Sequence, residues 1–76
     1  MTVSVKDHTY EMSRKGFNKL ILSLKKSLKK QPMIIAIEKD GHAIMLNDVY
    51  STQKELTNAI TSWNKKGYLV KYMRGI

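Results

Sequence analysis

The stretch MIIAIEKDGHAIMLN, residues 33–47, decides the fold. Two apolar runs flank Asp40-Gly41, a pair that readily takes the positive φ angles of a two-residue type I′ turn. With the turn there, Lys39 faces His42, Glu38 faces Ala43, Ile37 faces Ile44, Ala36 faces Met45 and Ile35 faces Leu46. Directly opposed residues point to the same side of a sheet. One side therefore collects Ile35, Ile37, Ile44 and Leu46 and is the expected core face. The other collects Ile34, Ala36, Ala43 and Met45. If helices cover only the first side, these four stay exposed and form the expected surface for a protein partner or a homodimer.

Upstream of the hairpin, Ser13 reads as an N-cap. Phe17, Leu20, Ile21, Leu24 and Leu28 then recur along one side of an amphipathic helix. Pro32 disfavours helical geometry in the residue before it, so this helix is predicted to end near Gln31. Downstream, Thr52 and Glu55 make a capping box for a second helix with Leu56, Ala59, Ile60 and Trp63 as its buried stripe. Gly67 suits the left-handed position after that helix. YLVKYM, residues 68–73, alternates as a last strand, with Tyr68, Val70 and Tyr72 on one side. At the other end, Val3–Lys6 and Thr9–Met12 also alternate, with Asp7-His8 as the expected turn.

The order is thus β(β)αββαβ in one compact α+β domain spanning residues 1–76. A mostly antiparallel sheet is predicted, with both helices packed on one face. If the opening is a single strand, the order is that of ferredoxin-like folds; if it is a hairpin, the chain is a double hairpin–helix unit with a closing strand.

Composition narrows the function. Of 76 residues, 14 are Lys or Arg and 6 are Asp or Glu, giving a net charge of +8. Such a field favours nucleic acid, anionic lipid or an acidic protein surface. With 42% apolar residues, one core can form without cysteine, which is absent. No apolar run is long enough to span a bilayer, and the opening residues lack an apolar leader, so a cytoplasmic location is expected.

The charge is concentrated. Arg14, Lys15, Lys19, Lys25, Lys26, Lys29 and Lys30 all fall in SRKGFNKLILSLKKSLKK, residues 13–30, which holds no acid. Lys15, Lys19, Lys26 and Lys30 lie opposite the apolar stripe, with Lys29 and Leu22 beside them. Lys15/Lys19, Lys25/Lys29 and Lys26/Lys30 are like-charge pairs at i,i+4, each destabilising by about 0.2–0.5 kcal/mol. Helix-dipole stabilisation accounts for the later lysines but not for Arg14, Lys15 and Lys19 at the positive end. A polyanion-binding face is therefore the leading expectation, with the plain solvated helix as its rival. Lysine contacts phosphate without reading bases, so four such contacts would give a salt slope of roughly −3 to −4.

Tyr68, Lys71 and Tyr72 add an expected stacking platform for single strands. The opposing expectation is that one or both rings pack against a helix or in the core. DGHAIML, residues 40–46, lacks the aromatic, glycine-rich third strand of RNA-recognition motifs, so no such membership follows. A membrane-surface role for the first helix is disfavoured, because its apolar stripe is needed for so small a core.

Catalytic chemistry has little to stand on. Asp7 and Asp40 suit turns and Glu55 suits a cap; His8 and His42 lack metal-ligand spacing, and the glycines are scattered. No enzyme, no cofactor and no metal site is expected. The runner-up reading is a small regulatory or inhibitory protein that blocks another protein.

Overall fold

The computed structural model describes residues 1–27 and 31–74, without the side chains of residues 71, 72 and 74. The strands are β1 (Thr2–Val5), β2 (His8–Glu11), β3 (Met33–Lys39), β4 (His42–Val49) and β5 (Leu69–Arg74); the helices are α1 (Arg14–Ser27) and α2 (Gln53–Lys65). The opening is a hairpin, so the chain takes the double hairpin–helix order. Its turn is Lys6-Asp7, one residue earlier than expected, because Val5 pairs with His8 and Lys6 adopts a φ of 54°.

One mixed sheet has the order β2-β1-β4-β3-β5. Only the β1–β4 pairing is parallel, and it joins the two hairpins into one surface. The expected α+β class and mostly antiparallel sheet stand.

The placement of the helices differs from expectation. Phe17 and Ile21 of α1 pack with Val3, Met33, Ile35, Ala36 and Ala43. Leu56 of α2 packs with Ile34, Ile37 and Val70. Alternate strand residues point to opposite sides, so the two clusters lie on opposite faces of the sheet, one under each helix. The pairings make β2 and β3 run one way and β4 and β5 the other. Both crossovers also step in the same direction along the sheet. Right-handed crossovers with those directions require helices on opposite faces.

Ile34, Ala36 and Ala43 are therefore fully buried and Met45 is half-buried. The exposed apolar interface expected from these residues does not exist, because a helix covers each face.

The central hairpin keeps the expected register from Lys39↔His42 to Ala36↔Met45, then departs from it. Ile34 pairs with Asp48, so Leu46 and Asn47 together oppose Ile35. Asn47 takes a φ of 53° at this bulge. Asn tolerates the left-handed region better than most residues, because its short side chain bonds locally. Beyond the bulge the faces exchange: Ile34 joins the α2 cluster and Ile35 the α1 cluster.

Both helices start where the sequence places them. The Gly16 amide donates to Ser13 Oγ at 3.0 Å. The Glu55 amide donates to Thr52 Oγ1 at 3.2 Å, and Glu55 Oε2 accepts from the Ser51 amide at 3.1 Å. The second helix ends in a Schellman motif, with Tyr68 N–H bonded to the Trp63 carbonyl, Gly67 N–H to that of Asn64, and Gly67 at a φ of 91°. Among the described residues, no helix is long and apolar enough to cross a membrane.

Candidate nucleic-acid interface

Packing fixes the rotation of α1. With Phe17 and Ile21 buried, Lys15, Lys19 and Lys26 are carried to the outer side and are exposed. Lys25 flanks them, half-exposed, and Leu22, 59% exposed, sits among them. From Lys15 to Lys26 the ridge runs about 16 Å at the α-helical rise. Among the described residues, none of these four lysines has a carboxylate within ion-pairing distance. Lys29 and Lys30 lie outside the described residues.

Arg14 departs from the ridge. Its Nη1 and Nη2 donate to Oε1 and Oε2 of Glu38 at 2.5 and 2.6 Å. Glu38 is 7% exposed and opposes Ala43 on the α1 side of the sheet. The expectation that Arg14 is available to phosphate is corrected on that ground: its fork serves a buried carboxylate. This pairing had no signal in the sequence, since it depends on which face α1 covers.

The tyrosines divide. Tyr68 is half-buried, packed against the α2 cluster, in a T-shaped contact with Trp63 at 5.4 Å between ring centroids and 81° between planes. This contact joins the residues on either side of the Schellman turn, a hydrophobic pairing that Gly67 in the sequence already implied. Lys39 Nζ lies 5.5 Å from the centroid of Tyr68, and Lys66 Nζ lies 4.8 Å from that of Trp63. The Tyr68 ring is thus engaged by both Trp63 and Lys39. It is also on the side of the sheet opposite α1. Tyr72 and Lys71 belong to β5, with side chains outside the described residues.

Two polar side-chain contacts flank β1, one to β4 and one to β2. Ser4 Oγ lies 2.6 Å from His42 Nε2, and Thr2 Oγ1 donates to Glu11 Oε1 at 2.5 Å. Both contacts are exposed and fall on adjacent strands of one face. Among the described residues, no group of His, Cys, Asp and Glu side chains is placed to hold a metal ion.

Comparison with protein-family models, with curated proteins and with solved structures returned no match. Fold and surface are what define the site: a mixed sheet with a helix on each face, one of which bears a lysine ridge without an acidic partner among the described residues.

Proposed function

We propose that this is a non-enzymatic binding protein that associates with nucleic acid through the outer side of α1. One observation carries the reading: Lys15, Lys19 and Lys26 are exposed on one side of a helix, with no acidic partner among the described residues. Helical lysines that only keep a protein in solution are usually interspersed with glutamate, and the like-charge Lys15/Lys19 pair weakens the helix that carries it.

The ridge is about as long as five phosphates of one strand, taking about 3.4 Å of axis per phosphate. Lysine ammonium groups are point charges, so the contact holds the phosphate backbone and does not discriminate base sequence. Tyr68 is not part of this surface.

The reading as an inhibitor seated on an apolar sheet face has no such support, because that face is covered. The test is fluorescence anisotropy with a labelled short duplex across a salt series. Three phosphate contacts give a slope of log affinity against log salt of about −2.7. Affinity that is flat with salt, or unchanged in K15E/K19E/K26E, rules the proposal out.

A further inference from the structure

Among the described residues no strand pairs with the outer side of β2, and the alternation of its hydrogen bonds follows from its pairing with β1. Met1 and Met12 exchange both backbone bonds across the first hairpin. Antiparallel pairs alternate between bonded and non-bonded, so Val3/Tyr10 and Val5/His8 are bonded pairs, and Thr2/Glu11 and Ser4/Thr9 are not. The Thr2 amide confirms the alternation, since it turns the other way and donates to the Gly41 carbonyl. The amides and carbonyls of Thr9 and Glu11 therefore point outward. No partner for them occurs among the described residues.

The edge is protected only by its shortness and by the charge of Glu11. All four residues His8–Glu11 are exposed, pairing with β1 is regular, and the strand has no lysine, proline or bulge. Tyr10 stands on it with 48% of its surface exposed.

Charge decides which partner fits. Two chains of +8 repel over most of their surfaces. The opposite edge, β5, has Lys71 and Arg74 among six residues. In contrast, residues 1–13 contain one lysine against two acids, Asp7 and Glu11. This is where two copies can approach.

We infer that the protein forms a homodimer by antiparallel pairing of β2 with β2 of a second copy. A twofold axis perpendicular to the sheet keeps each face on its own side, so opposed residues must share a face. Three registers satisfy this. Thr9 opposite Thr9 brings Asp7 against Glu11, and Glu11 opposite Glu11 sets like charges together. Thr9 opposite Glu11 avoids both. It also forms two bonded pairs, four backbone hydrogen bonds in all, with the two Tyr10 side chains adjacent across the axis in the close, non-bonded position. The two α1 ridges then lie on the same side of one continuous sheet.

Sedimentation equilibrium of the full chain, without nucleic acid, tests this independently of the proposed binding function. The wild type is expected to approach twice 8.8 kDa as concentration rises from micromolar to near millimolar. Thr9→Pro removes an outward amide that is unused in the monomer, and Tyr10→Lys sets two ammonium groups together at the axis. Each is expected to weaken association by about tenfold or more while leaving the circular dichroism spectrum unchanged. A wild type that stays at 8.8 kDa, or variants that dimerise as tightly as the wild type, would overturn the inference.

Discussion

Arg14 at the start of α1 and Glu38 near the end of β3, 24 residues apart in the chain, are joined by a two-pronged ion pair. The Glu38 side chain is 9% exposed and that of Arg14 is 46% exposed. The pair fastens the first helix to the sheet and commits the one arginine of the basic segment to a carboxylate of the protein's own.

Removing Arg14 takes both guanidinium hydrogen bonds from a carboxylate that is nearly out of water. Arg14→Ala is expected to destabilise by about 2 kcal/mol, below the 3–5 of fully buried pairs because water screens the arginine side. Urea denaturation followed by circular dichroism measures it. The double variant R14A/E38Q should lose less than the sum of the two single changes, as coupled neighbours do.

Lys15→Glu separates the proposed binding from stability. The new carboxylate lies four residues before Lys19 and in the first turn of α1, so it gains both a helical ion pair and a favourable dipole term. Stability should rise by about 0.5 kcal/mol while affinity for duplex DNA falls. A parallel melting and anisotropy series reads both. If affinity and stability fell together, the lysine would be holding the fold and not a ligand.

Asn47 is constrained by its backbone, not by side-chain packing. Its φ of 53° favours glycine and resists a β-carbon without local hydrogen bonding. Asn47→Ala should destabilise by about 1 kcal/mol, whereas Asn47→Gly should be close to neutral. Chemical denaturation of the two variants side by side distinguishes the bulge from an ordinary strand position, where the order of the two would reverse.

The two clusters call for a matched pair of truncations. Phe17→Ala on the α1 side and Leu56→Ala on the α2 side should each cost about 3–5 and 2–5 kcal/mol, respectively, because both side chains are fully buried. Ile34→Asn should unfold the chain at ordinary temperature, since it puts an amide into the α2 cluster. A folded, normally stable I34N protein would return Ile34 to the surface and restore the apolar interface.

The sequence was a good guide wherever structure depends on close neighbours. Asp40-Gly41 set the central turn and four residue pairs beyond it, because a two-residue loop fixes register from its own φ angles. Ser13, Thr52 and Gly67 marked helix ends through bonds to residues within five positions. The lysine ridge was legible for the same reason, since helical periodicity alone sets Lys15, Lys19 and Lys26 opposite Phe17 and Ile21.

Only the tertiary structure decided which face each helix covers, and with it what is buried. Periodicity gives a helix an apolar side without saying which side of the sheet receives it; crossover handedness and the parallel β1–β4 junction settle that. The burial of Ile34, Ala36 and Ala43, the face exchange at Asn47 and the capture of Arg14 by Glu38 all follow from it. Each is a contact between chain segments whose separation no local rule spans, and so each needed the assembled sheet.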